Sequence, residues 1–171
     1  YEVLVRKTDV TKRNKFNVPV RSFNGTVVLK VATETVKNRL EHYEAIKYKM
    51  ENGVQTWFSK LRGKLMKKKI EDIVARYNSE IRGFYNYYSI ANNVSYAASK
   101  FGYIMEYSMY HTIAAKTNSS ISKVIDKYKK GNDIIVPYHD AKGKLRYRVF
   151  YNEGFKRKLP SSCLLYTSPS P

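Results

Sequence analysis

The stretch Ile73–Tyr88, IVARYNSEIRGFYNYY, decides how this chain folds. Stepped at about 100° per residue and extended back to Ile70, it places Ile70, Ile73, Val74, Tyr77, Ile81, Phe84, Tyr85 and Tyr88 on one side. That stripe is wide enough to face a core, so a helix is expected from about Glu71 to Ala91, with Asn92 and Asn93 ending it. Glu71 and Asp72 fall in its first turn, where carboxylates meet the positive end of the helix dipole. The opposite side carries Arg82, Gly83 and Asn86. Arg82 and Asn86 are four apart and therefore neighbours, and Gly83 removes a side chain where another backbone could come close.

Toward the C-terminus, a second helix from about Ser99 to Lys116 puts Phe101, Ile104, Met105, Ser108 and Thr112 on one side and Tyr103, Tyr107, Tyr110 and Ala114 on the other. A helix apolar on two sides belongs at the centre. A third helix, capped near Ser119 or Ser120, repeats Ile121, Val124, Ile125 and Tyr128 with Lys123, Lys127 and Lys130 behind them, and Gly131 terminates it. Ile134 to Tyr138 and Leu145 to Tyr151 then read as a hairpin.

Toward the N-terminus, Tyr1 to Val5 alternates like a half-buried strand. Val18 to Phe23 and Thr26 to Val31, joined by Asn24-Gly25, read as a hairpin with a type I′ turn. Thr33 is expected to cap a short helix with Val36 and Leu40 inward, and Asn52-Gly53 breaks the pattern after it. From Trp57 to Lys69, Lys60, Arg62, Lys64, Lys67, Lys68 and Lys69 crowd a few apolar anchors and read as a basic connector. Its alternatives are phosphate contact and a solvated face.

Over 171 residues the formal charge is +18, yet 43% of residues are hydrophobic and 14% aromatic. That composition is too apolar for a disordered basic tail. So large an excess of Lys and Arg destabilises through self-repulsion, and a polyanionic partner relieves it. Nucleic acid is therefore favoured over an anionic membrane. No apolar run is long enough to span a bilayer and the start lacks the order of a signal peptide, so a soluble, intracellular protein with no membrane partner is expected. Cys163 is the only cysteine, and His42, His111 and His139 lie far apart, which argues against metal binding by this segment. Both ends read as cuts, and the closing string from Cys163 to Pro171 resembles an adapter-derived, non-native tail; an ordinary flexible Ser/Pro tail is the alternative.

The order IVARYNSEIRGFYNYY, then Tyr103 to Ser108 (YIMEYS), then Thr112 to Lys116 (TIAAK) with Ser119, Ser120 and Lys123, resembles domain X of group II intron maturases, the thumb of their reverse transcriptases. The likeness covers roughly Thr33 to Gly131. Tyr1, Glu2 and Val3 resemble the strand leaving the polymerase palm, and Tyr151 to Lys158 (YNEGFKRK) the start of the C-terminal DNA-binding region. The resemblance implies a mainly α fold, a three-helix thumb/maturase domain X flanked by short β-hairpins. It divides the chain into the end of the palm and a lead-in hairpin at 1–31, domain X at 32–131, a hairpin and the start of the DNA-binding region at 132–162, and the tail at 163–171.

The same resemblance implies a bacterial cytoplasmic partner of group II intron RNA, with template-primer duplex and target DNA as partners of the intact parent. Matching positions are Arg82, Gly83, Asn86, Tyr87 and Tyr88, then Lys116, Ser119, Ser120 and Lys123, with Lys127 and Lys130 continuing the ridge. No catalytic centre comes with them. The parent's polymerase holds magnesium on a Tyr-x-Asp-Asp pair, and no Asp-Asp occurs here; this segment is expected to carry no cofactor.

Each candidate keeps two readings. Arg82 forks onto a phosphate or stacks on an unpaired base, or else pairs with Glu80 or Glu106. Asn86 reads a base edge or ribose hydroxyl, or bonds a neighbouring helix. Tyr85 and Tyr88 lie on the core stripe and are explained first by packing, whereas Tyr87 lies off it and is placed for stacking. Lys116, Lys123, Lys127 and Lys130 track phosphates or are simply solvated. At the level of the whole chain, a generic basic nucleic-acid-binding module of a mobile element stands as the alternative to a maturase domain.

Overall fold

A computed structural model describes residues 1–5, 13–20, 27–51 and 53–159. They form β1 (Glu2–Val5), β2 (Val27–Lys30), α1 (Thr33–His42), β3 (Ile46–Glu51), β4 (Val54–Ser59), a 3-10 turn (Gly63–Leu65), α2 (Ile70–Tyr88), α3 (Val94–Lys116), α4 (Ile121–Tyr128), β5 (Lys129–Lys130), β6 (Asp133–His139) and β7 (Leu145–Val149). With four helices and seven strands among the described residues, the fold is mixed α and β rather than mainly α.

The helical stripe of α2 is buried as its spacing predicts: Ile73, Val74, Tyr77, Ile81, Phe84, Tyr85 and Tyr88 all lie in the core. Helix α3 is central, packed against α1, α2, α4 and β4. Its first side is buried throughout; of the second, Tyr110 and Ala114 are buried, Tyr107 is half-buried and Tyr103 is exposed. Ser120 caps α4, its Oγ accepting the Lys123 N–H at 3.4 Å. The chain then leaves helical geometry at Lys129, forms the short β5, and turns at Gly131 with φ +62 into β6.

Three expectations are corrected. Helix α1 is capped by Ala32 without a side-chain bond, and Thr33 is its first helical residue. Where Asn52-Gly53 was expected to break the pattern, β3 and β4 pair as a hairpin, with Glu51 opposite Val54 and Gly53 at φ +76, while Asn52 lies outside the described residues. Trp57 therefore belongs to β4 rather than to a connector. In the expected first hairpin, the Asn24-Gly25 turn lies outside the described residues. Residue Pro19 of its first arm bridges Arg13, and β2 pairs antiparallel with β1, Glu2 opposite Lys30 and Val5 opposite Val27. The segment 163–171 also lies outside the described residues.

Asn92 and Asn93 do more than stop a helix. Asn92 exchanges bonds with Leu29, its N–H donating to the Leu29 carbonyl at 2.8 Å and its Oδ1 accepting the Leu29 N–H at 3.1 Å. Asn93 does the same for Val31 through its side-chain amide, at 2.8 and 3.0 Å. The two amides thus act as a strand rung for β2 and seat it on the helical layer.

A buried polar seam runs between α2 and α3. The Tyr77 hydroxyl lies 2.8 Å from Ser108 Oγ and 3.1 Å from Thr112 Oγ1, and Thr112 also accepts the Arg62 backbone N–H at 3.0 Å. Here the expected basic connector is corrected. Lys60, Lys64, Lys67, Lys68 and Lys69 are exposed, but Arg62 is buried, its guanidinium forked onto Glu80 at 2.5 and 3.1 Å and lying over the rings of Tyr43 and Tyr77. Burial works against its charge, yet Glu80 outweighs that and raises its pKa above the ordinary value. Arg76 adds a second cation to Glu80 at 2.7 Å.

After β7 the chain doubles back over the helices. Phe155 packs on Gly102, where a Cβ would come within 3.2 Å of its ring. The Lys158 N–H and the Arg157 guanidinium donate to the Ser89 and Ile90 carbonyls just beyond α2, groups a helix end leaves without internal partners. The buried Asn78 fastens the start of this return, its Nδ2 donating to the Val149 carbonyl at 2.7 Å and its Oδ1 accepting the Tyr151 N–H at 2.8 Å.

Two stability measurements follow. Glu80→Ala strands a buried guanidinium and is expected to lower the urea-unfolding free energy by about 3 kcal/mol, with an unchanged m-value. Asn78→Ala leaves two backbone groups without partners and is expected to cost about 1 to 2 kcal/mol, with faster amide exchange at Tyr151 than at Tyr77.

Candidate nucleic-acid interface

The stripe of α2 opposite its core face is read off at intervals of three and four: Ala75, Ser79, Arg82 and Asn86, with Gly83 beside them. Strand β7 lies alongside, held there by Asn78. Between them runs an open groove of about 550 Å³, lined by these α2 residues and by Tyr147, Arg148 and Val149. Arg82, Gly83 and Asn86 are thus brought together in one place, exposed to solvent.

The electrostatics of the groove are one-sided. Arg82 lies 4.8 Å over the Tyr151 ring, and Arg148 lies 5.4 Å over Tyr138. Among the described residues neither guanidinium is paired with a carboxylate, whereas Arg146 on the same strand is held by Asp140 at 3.2 Å. Glu80, read from sequence as a rival partner for Arg82, is occupied by Arg62 and Arg76, and Glu106 is approached by Lys129. Nε of Arg148 is buried without a hydrogen-bond partner. Burial raises the pKa of Tyr151 while Arg82 works the other way, and the phenol stays neutral near pH 7. Two guanidiniums without carboxylate partners, an amide and exposed tyrosine surface have the chemistry to bind a phosphate with an adjoining ring.

The remaining candidates lie elsewhere. Tyr87 is 66% exposed and has the Tyr1 ring nearly parallel to it at 5.9 Å. Tyr88 packs in the core against Phe84. With Arg39, Tyr43, Gly83 and Phe84 they line a second, smaller groove of about 230 Å³. Lys116 donates to the Met66 carbonyl at 3.0 Å, tying the end of α3 to the segment before α2, while Ser119, bonded to Thr117 at 2.8 Å, and the cap at Ser120 shape the turn between α3 and α4. Lys123 and Lys127 share one exposed face of α4, and Lys130 follows in β5; none of the three pairs with a carboxylate among the described residues. They do not line the α2 groove.

Sequence reasoning missed Arg148, Tyr147, Tyr151, Asn78 and Arg39. A signal existed for the first two: Leu145–Val149 alternates apolar residues with Arg146 and Arg148, which gives one strand a cationic face. No helix among the described residues is long and apolar enough to cross a membrane. Among those residues there is also no group of three or more His, Cys, Asp or Glu suited to a metal.

The family described as Type II intron maturase matches residues 11–152. The group II intron-encoded protein LtrA of Lactococcus lactis subsp. cremoris is 33% identical over 153 residues, covering 89% of this chain. The protein of the same name from strain MG1363 matches to the same extent. The chain spans 25% of the length of these relatives. A maturase match across most of the chain, centred on the helices that build the groove, places this protein in the group II intron maturase family.

Proposed function

We propose that this chain is the RNA-binding thumb, domain X, of a group II intron-encoded reverse transcriptase, which helps its intron RNA fold for splicing in a bacterial cytoplasm. In the intact parent it also supports RNA-directed DNA synthesis, steadying template-primer duplex beside a magnesium-dependent polymerase and adjoining a region that engages target DNA. Its own contribution is binding, since the sequence has no Tyr-x-Asp-Asp pair to hold the metal. The observation that carries the reading is the α2 groove, where Arg82 and Arg148 have no carboxylate partner among the described residues, whereas Arg62, Arg76 and Arg146 each have one.

Phosphate contacts supply affinity and recognition supplies preference, and the two separate under salt. With six to ten phosphate contacts, affinity is expected to fall roughly a thousandfold or more between about 50 and 200 mM salt. A preference for the parent intron over random RNA of equal length should survive that change. Arg82→Ala is expected to reduce the preference about tenfold, while Lys127→Ala weakens both RNAs alike and lowers the salt slope by about one. Filter binding at two salt concentrations checks this; equal effects from the two substitutions would remove Arg82 from recognition.

A further inference from the structure

Gly83 sits in the interior of α2, where glycine weakens a helix relative to alanine. Nothing among the described residues accounts for it. A Cβ built at Gly83 meets no atom within 4 Å, in contrast to Gly102, where the Phe155 ring would be struck at 3.2 Å. Gly83 is not in the left-handed region either, so no turn demands it. What sets it apart is position: it lines both the groove of about 550 Å³ that holds Arg82 and Arg148 and the groove of about 230 Å³ that holds Arg39 and Tyr87. The two depressions meet across the helix where the side chain is missing.

We infer that Gly83 is a saddle over which a single unpaired RNA strand crosses α2, its sugar-phosphate backbone lying against the bare helix. This rests on the RNA-binding reading above and names the form of RNA that the site takes. One phosphate faces Arg82 and Arg148, which line the first groove together and have no carboxylate partner among the described residues. On the far side the next nucleotides meet Arg39, which has no carboxylate partner among the described residues, and the exposed ring of Tyr87. The grooves, of about 550 and 230 Å³, are too small to take in a double helix. Unpaired bases, which stack on aromatic rings and guanidinium planes, fit them; a duplex would bridge the rims and leave the saddle empty.

The test uses the whole chain, with anisotropy of a labelled oligouridylate of about twelve nucleotides and of an RNA duplex of equal length. Gly83→Ala and Gly83→Leu add bulk where the fold has room, so both are expected to melt no lower than the parent. Alanine should weaken the single strand about threefold and leucine about thirtyfold, with the duplex changed by less than about twofold. If folded Gly83→Leu binds the single strand like the parent, or loses the duplex equally, the saddle is wrong. Should leucine unfold the chain, alanine decides, and unchanged single-strand binding overturns the inference. The unsubstituted chain's preference for intron over random RNA is read alongside: its absence counts against the maturase reading, whereas its persistence with unaltered Gly83 variants removes only the saddle.

Discussion

The groove exists because one buried amide ties a helix to a strand. Asn78 sits on the flank of α2's apolar stripe, and both ends of its side chain are spent on backbone groups that bracket the end of β7. A polar residue with no partner at this depth would be costly; satisfied twice, it fixes the distance and register between the two elements. Arg148 thereby comes to rest across from Arg82 and Gly83. Ile134, Val136 and Phe150 seat the hairpin of β6 and β7 in the same core as the α2 stripe, and Asn78 sets the register at the end of β7.

Against a formal charge of +18, where the few acids are placed becomes informative. Glu80 neutralises Arg62 and Arg76, Glu44 holds Lys64, and Asp140 holds Arg146 while also accepting two loop N–H groups. These carboxylates sit where cations serve the fold. The α2 groove receives none among the described residues, and on α4 the exposed Asp126 pairs with neither Lys123 nor Lys127, so there the positive field is left to act on something outside the chain. Arg62 illustrates the difference. It belongs to the most basic stretch of the sequence, yet it is internal and structural, because a neutralising carboxylate eighteen positions on reaches it through the fold.

What the sequence disclosed follows from period and burial. The stripe of α2, the two-sided α3, the capped α4 and the hairpin of β6 and β7 each rest on local repetition, and local repetition survives into the fold. The hairpin of β3 and β4 is equally legible, since Ile46, Tyr48 and Met50 alternate with lysines just before an Asn-Gly pair, the pattern of a strand leading into a hairpin. Less recoverable were the long-range partners. Asn78 carries no sign of its distant partners at Val149 and Tyr151, and Arg148 becomes part of a groove only when β7 is laid beside α2. Tyr88, by contrast, lies on the core stripe and is buried there, as the helical spacing implies.

The central claim is that Arg82 and Arg148, far apart in sequence, hold the same stretch of RNA. A double-mutant cycle with Arg82→Ala and Arg148→Ala, read as affinity for the parent intron at fixed salt, tests it most directly. The account predicts that the two losses fail to add, with a coupling of about 1 kcal/mol or more between the sites. Losses that sum within about 0.3 kcal/mol would mean that the two arginines act on separate parts of the RNA, or only through their general charge, and would contradict it.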